Sequence, residues 1–431
     1  MRVLWLTPVH SRSAIGRFSD LVVARLVAMG CDVAVGATET SFDPADRHPF
    51  GGLPVATASH HLSAGDAFDI MVANFGDHYP NHEFALDALA FPLLIGIFHD
   101  ADMSNFANGM RAAGREPIGE NGDWPVGRDV AAAIAKRCGG AVVHSRFYLS
   151  AAESCDGPIA AIPLAWAPPQ PPDRQPRPAP QPLASGLRLV TLGNINPNKC
   201  PDRVIEAIGS SPVLREAVEY RLVGAAEPAM ETSLRELAQR LGVNLVMVGR
   251  VGDPELLDEL AQATVVSCLR EPVLEGSSAS AIEAMMEGCL VVVSNAGFYA
   301  DLPDDCVVKV PSETDVSSIR AALESICAAP EASAALRRRA RDYSLATFSP
   351  AKYGDALLRL AQDVRVAGSY VPLVDRVARD LAGLGISPDA EAADIVLRSL
   401  EAMAPVERRG VSEADTDLLM GSRQPACGNA A

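Results

Sequence analysis

The chain has 431 residues, 48% of them hydrophobic and 21% charged, with a formal net charge of −17. That length suits two domains of ordinary size, and the apolar content is ample for two cores. The acidic balance argues against nonspecific nucleic-acid binding or a polybasic membrane patch. The nine cysteines include no Cys-x-x-Cys pair, and several sit in apolar segments. They read as reduced, buried thiols of a cytoplasmic protein, not as a disulfide frame or zinc site. The apolar stretch after Met1 is too short for a signal peptide, and the run Phe91 to Phe98 is far short of a bilayer span. Membrane contact is expected to be peripheral at most.

In chain order, residues 2–6 read as a buried strand, 12–18 as a turn and 19–29 as a helix closed by Gly30. Strands are predicted near 32–36, 68–73, 92–98, 140–144 and 159–162, with helical or irregular segments between them. Residues 101–128, polar and rich in glycine and asparagine, read as a long excursion at one mouth of the domain. A proline-rich stretch from Trp166 to Pro182 marks the clearest boundary. A second series follows, with strands near 187–193, 218–223, 244–248, 264–268, 289–293 and 305–310. Helical patterns fill 314–365 and 370–403, and the composition beyond Pro405 is that of a disordered tail.

Strands alternating with helices predict an α/β fold with parallel, doubly wound sheets. The expected division is a first Rossmann-like domain over 1–165, a linker over 166–185 and a second Rossmann-like domain over 186–350. C-terminal helices over 351–404 would follow, part of them packing back on the first domain, and then a tail over 405–431. Two such domains suggest a cleft between them, since ligands bind outside the carboxyl ends of the strands.

The richest stretch is Arg270 to Gly288, a small-residue turn between a β-rich segment and a helix. Ser280 and Glu283 fit a capping box, which would explain that half by helix initiation alone. Glu275 lies upstream of any such cap. Beside it, Gly276, Ser277, Ser278 and Ala279 carry no bulky side chain, so their amides can approach a ligand closely. A carboxylate aimed at sugar hydroxyls, with bare amides aimed at phosphate, uses both facts. In Leu192-Gly-Asn-Ile-Asn-Pro-Asn-Lys199 the lysine stands at a helix entry. The helix dipole disfavours a cation there unless an anion binds at the same place.

In the first half, His10 to Arg17 form a small-residue turn after the first strand, without a Gly-x-Gly-x-x-Gly fingerprint. His99 follows an apolar strand and precedes Asp100-Ala-Asp102, a tripeptide common by chance that no other ligand cluster accompanies. His78 and His82 have helical spacing, but Pro80 lies between them and the segment reads as a loop. No metal site is expected. All eight histidines lie within the first 144 residues, so the second domain has none for acid–base work. The segment Val246 to Glu255, with Gly249 and Gly252, offers a loop whose backbone could read a base edge. An ordinary turn with Asp253 capping the next helix explains it equally well.

Together these pieces resemble the retaining family 4 glycosyltransferases of the GT-B fold, over roughly residues 1–365. The Glu-x7-Glu spacing of Glu275 and Glu283 carries the resemblance, supported by Gly193 with Lys199, the turn at Gly16 and the strand end Val143-His144-Ser145. It implies two Rossmann-like domains facing across a cleft, the first binding the acceptor and the second a nucleotide diphosphate sugar. It implies Glu275 on hydroxyls of the donor sugar and the amides of Ser277, Ser278, Ala279 and Ser280 on sugar and diphosphate oxygens. Glu283 would take the ribose hydroxyls and Lys199 the diphosphate. Asn194, Arg250 and Gly276 would line the donor, with the base near Val251 and Gly16 near the diphosphate. His99 would stand beside the reacting carbon, with Arg12, Ser13 and Asp100 toward the acceptor. The family usually has arginine where this chain has Asn194, which leaves Arg250 or Arg270 as substitutes. It often has Gly-Phe-Gly where this chain has Gly-Ser-Ser-Ala.

The implied reaction is metal-independent transfer of a hexosyl unit from a UDP- or GDP-sugar, with retention, to a glycan, lipid-linked or small-molecule hydroxyl, as in polysaccharide biosynthesis. No cofactor beyond the donor is implied, and a homodimer is open. The rival readings are an epimerase or phosphorylase on the same fold, and a sugar-nucleotide-binding protein without catalysis.

Overall fold

The computed structural model describes residues 1–64, 67–119, 122–168, 186–387, 395, 396 and 398, without the side chains of 369–375 and 378. The chain divides into two units, Met1–Pro163 with Pro350–Ala431, and Leu164–Ser349. The expected tail over 405–431 and the linker from residue 169 to 185 lie outside the described residues.

The first unit holds seven parallel strands: β1 Arg2–Thr7, β2 Asp32–Ala37, β3 Val55–Thr57, β4 Ile70–Phe75, β5 Leu94–Phe98, β6 Gly140–Val143 and β7 Ile159–Ala161. Their order is β3-β2-β1-β4-β5-β6-β7. Every residue of β4 and β5 is buried, as helices on both faces of a parallel sheet require. β3 escaped the sequence reading because it is three residues long and shows no alternation.

Ser13 initiates the first helix, Ala14–Ala28, by accepting from the Gly16 amide at 3.0 Å. That corrects the expected turn over 12–18. Gly16 is a buried helical residue, and a Cβ there would lie 2.7 Å from both His48 and the Pro8 carbonyl. It serves close packing, not reversal of the chain. Phe18, Val22, Val23 and Leu26 form the buried stripe. In the expected excursion, residues 104–112 are a helix that buries Phe106, Ala107 and Met110.

The helix Pro350–Gly383 runs without interruption through the gap expected at 365–370. It packs on the first unit: Tyr353 stands edge-on to Phe18 at 5.0 Å, and Asp355 pairs with Arg25 at 3.2 Å.

The second unit holds six parallel strands: β8 Leu187–Leu192, β9 Val218–Val223, β10 Asn244–Gly249, β11 Val265–Cys268, β12 Leu290–Ser294 and β13 Val308–Val310. Their order is β10-β9-β8-β11-β12-β13. The chain winds outward from β8 in one direction, then returns to place β11 on its other side. The carboxyl ends of β8 and β11 therefore flank the switch point, where such sheets open a crevice. In the first unit the same logic puts the switch point between β1 and β4.

Backbone hydrogen bonds join the loops after β8 and β9. Gly193 N donates to Val223 O at 2.9 Å and Ile195 N to Ala225 O at 2.7 Å. A Cβ on Gly224 would lie 2.0 Å from Gly193 O, and Gly224 has φ +156°. Gly224→Ala is expected to destabilise the protein by about 2 kcal/mol or more, read as a lower denaturant midpoint. An unchanged midpoint would rule out this backbone contact.

Candidate functional site

At the switch point of the second unit, Lys199 ends a short turn, Pro197–Lys199, and is 9% exposed. Its Nζ donates to Leu192 O, folding the side chain back over the end of β8. Gly193, at φ +77°, leaves room for this, since a Cβ there would sit 2.9 Å from Nζ. Burial, and then the nearby Arg270 charge, push the Lys199 ammonium down to about 8, with Glu275 acting in the opposite sense.

The loop after β11 carries Arg270, buried, and Glu275, about a quarter exposed. Glu275 Oε1 pairs with Arg270 Nε at 3.2 Å and accepts from the Tyr299 hydroxyl. Burial, and then the Glu275 charge, hold the Tyr299 phenol well above its ordinary range, so it donates. Oε2 accepts no hydrogen bond from the described residues.

The helix Ala279–Met286 begins directly after this loop. Its cap is Ser278, which accepts from Ala281 N at 3.4 Å, not Ser280 as the capping-box pattern suggested. The Ala279 and Ser280 amides donate to no described residue, leaving them for an acceptor from outside. Glu283 is buried on this helix at 4% exposure. Asn194 and Arg250 are exposed, Val251 is half-buried, and Gly249 ends β10 at φ +78°. Lys199, Glu275, Ser277, Ser278 and the helix start thus gather around the β8 and β11 ends. Arg250 and Val251 follow β10, two strands away from β8.

In the first unit, polar groups clip five strand ends together. Asn74, at the end of β4, donates from Nδ2 to Leu6 O at 3.0 Å and presents Oδ1 to His99 Nε2 at 3.0 Å. His99 Nδ1 meets His144 Nε2 at 3.2 Å, and His144 Nδ1 meets Ile162 O at 3.1 Å. Asn74 Oδ1 and Ile162 O both accept, so two neutral imidazoles spend their two protons there and the His99 Nδ1–His144 Nε2 contact carries none. His99 Nε2 is therefore the nitrogen that donates within the protein, to Asn74, and Nδ1 faces the second ring.

Burial pushes His144 down to about 4 and, with the neighbouring His144, holds His99 well below its ordinary range. Burial likewise pushes His82, on Asn74 O at 2.9 Å, down to about 3. Asp100 Oδ2 accepts from Asp77 N at 2.8 Å. Ser13 is committed to its helix cap, and Arg12 is exposed, 4.0 Å from Asp46. No group of three or more metal-ligating side chains gathers among the described residues, and no described helix is long and apolar enough to cross a membrane.

Sequence reasoning missed Tyr299, for which no spacing signal exists. It also missed Asn74, whose polar side chain inside an otherwise apolar strand was the available signal.

Residues 180–343 match the family model described as glycosyl transferases group 1. By that domain the chain is a glycosyltransferase. Its architecture is the GT-B fold, shared with sucrose-phosphate synthase from Thermosynechococcus elongatus (17% identity, 85% of this chain and 100% of that one, TM-score 0.61). It is also similar to a glycosyltransferase from Rickettsia africae (12%, 84% and 98%, TM-score 0.60). A third is HepE from Anabaena, solved with UDP and glucose (15%, 83% and 98%, TM-score 0.58). No curated protein matches the chain by sequence.

The buried histidines yield a sign for acid stability. The unfolded chain takes up protons on these groups below about pH 6.5 while the folded one does not. Stability therefore falls as pH drops from about 6.5 toward 4, by up to about 1.4 kcal/mol per pH unit for each histidine. His144→Gln should flatten that slope by roughly one proton in denaturant titrations between pH 6.5 and 4.5. An unchanged slope would show that His144 is protonated in the folded protein.

Proposed function

We propose that this protein is a retaining hexosyltransferase that takes a nucleotide diphosphate sugar as donor and a hydroxyl as acceptor, without a metal. The observation that carries the reading is Glu275, whose Oε1 is pinned by Arg270 and Tyr299 while Oε2 is left for a ligand. A carboxylate held at one oxygen is pre-organised to take a sugar hydroxyl with the other. Beside it, Lys199 and the unclaimed amides of Ala279 and Ser280 offer positive charge to a diphosphate. HepE has been solved with UDP and glucose and with UDP-glucose, which supports a UDP-sugar as the first donor to test.

In this reading the bond from the anomeric carbon to the diphosphate oxygen breaks as negative charge grows on the leaving group. Lys199 and the helix start stabilise that charge, the task a divalent cation performs in other transferases. The departing phosphate oxygen accepts the proton of the incoming hydroxyl on the same face of the sugar, so configuration is kept. Glu283 holds the ribose, and the loop at Gly249, Arg250 and Val251 meets the base. Asp100, Arg12, Ser13 and the His99 edge stand toward the acceptor. The acceptor class of this reading is a hydroxyl of a glycan, a lipid-linked sugar or a small molecule.

Calorimetry with UDP, GDP, ADP and dTDP tests the donor, and at least one is expected to bind. Lys199→Ala and Glu275→Ala should each lower turnover about 100-fold or more with the fold retained by circular dichroism. Full activity in both would refute the assignment.

The depressed Lys199 pKa has a consequence of its own. The free site holds the ammonium below about pH 8 and loses it above. A diphosphate needs the ammonium, so affinity should fall as pH rises through about 8, and binding above that pH should draw in close to one proton. The dependence of binding enthalpy on buffer ionisation measures that uptake, and it should vanish in Lys199→Ala.

A further inference from the structure

The resemblance expects an arginine directly after the glycine of the β8 loop, and this chain has Asn194 there, exposed. Lys199 is then the only cation that the β8 loop brings to the switch point. The structure supplies another from the next strand. β8 and β11 pair in register at Leu189↔Val265 and Val190↔Val266, so their loops leave the same sheet edge side by side. The loops are also fastened to each other. Glu271 N donates to Asn198 O at 2.9 Å, Asn198 Nδ2 donates to Pro272 O, and Arg203 pairs with Glu271.

Arg270 sits at the root of the second loop. Its amide donates to Ser294 Oγ at 2.9 Å and its Nη1 to Leu269 O at 2.8 Å, with Nε on Glu275. The side chain is 6% exposed. Its Nη2 donates to no described residue. Lys199 Nζ lies on Leu192 O at the end of β8 and the Arg270 guanidinium on Leu269 O at the end of the paired strand β11, so the two cations stand at neighbouring strand ends. Among the described residues Glu275 pairs with Arg270, and no carboxylate pairs with Lys199. Holding like charges together out of water is unfavourable unless an anion joins them. A planar guanidinium with an open N–H edge suits a phosphate oxygen.

We propose that Arg270 is the second diphosphate-binding residue of this enzyme, taking from the β11 loop the place that Asn194 leaves empty on the β8 loop. The inference rests on the reading of this site as one for a nucleotide diphosphate sugar. Arg270 then has two tasks. Nε orients Glu275 toward the sugar, and Nη2 meets the leaving diphosphate beside Lys199. The same guanidinium ties the position of the sugar to that of its leaving group.

The test compares affinities for a nucleoside diphosphate and its monophosphate, using UDP and UMP or the corresponding pair for whichever of GDP, ADP and dTDP binds. Arg270→Gln should shrink the preference for the diphosphate about tenfold or more, while Glu275→Gln should leave that preference intact and lower transfer. Adding Asn194→Arg to Arg270→Gln should restore much of the preference, because a cation is returned to the opposite side of the same crevice. Arg270→Lys, which keeps the charge, guards against loss of fold and should retain more of the preference than Arg270→Gln. An unchanged preference in Arg270→Gln, or an equal loss in Glu275→Gln, overturns the proposal and shows Arg270 to be only the counter-ion of Glu275. In both cases the nucleotide-sugar reading survives. Wild-type protein that binds none of the four diphosphates overturns that reading, and this inference with it.

Discussion

The second unit depends on an imbalance of charge. Lys199 and Arg270 are both buried at the carboxyl ends of adjacent strands, and Glu275 pairs with Arg270. The sheet tolerates this because each charge has firm local partners. Leu192 O takes the Lys199 ammonium, Leu269 O takes one edge of the guanidinium, and the Tyr299 phenol braces the carboxylate. These contacts hold the groups in place without neutralising the surplus. On the proposed reading, positive charge held in this way is in place before the donor binds, the condition for strong electrostatic stabilisation of its leaving anion.

The first unit solves a different problem at the carboxyl ends of its own strands. Its polar belt runs from Leu6 through Asn74, His99 and His144 to Ile162, tying the ends of β1, β4, β5, β6 and β7. Tyr148 adds a stitch, accepting from His144 N and donating to Phe98 O, each at 2.7 Å. The rings of Phe18 and Tyr353 pack against this belt. Burial then holds the imidazoles neutral. The belt is thus a rigid polar floor, and the charge on which the proposed chemistry depends is concentrated in the second unit.

Much of the fold was legible in the residues. The strands of a doubly wound sheet are buried on both faces, so Val-, Ile- and Leu-rich runs announced all but β3 within a few residues. Glycine misled the reading at Gly16, because a glycine chosen for close helix packing looks the same in sequence as one chosen for a turn. Ser280 misled it at the helix cap, because Ser278 and Ser280 both offer a hydroxyl at the right distance from a helical run. Only the backbone angles separate them, extended at Ser278 and helical from Ala279.

The sequence alone determined the class of fold, the βα spacing of Glu275 and Glu283, and the lysine at a helix entry, since all three are local patterns along one strand–turn–helix unit. The tertiary structure decided which groups meet. The pairing of β8 with β11 brings Arg270 to Lys199 across 71 positions. A short turn after β12 delivers Tyr299 to Glu275. Asn74, His99 and His144 come together because three strand ends share one edge. Such meetings follow from strand order, and strand order is set by how helices cover both faces of a twisted sheet, a property of the whole unit that no single segment carries.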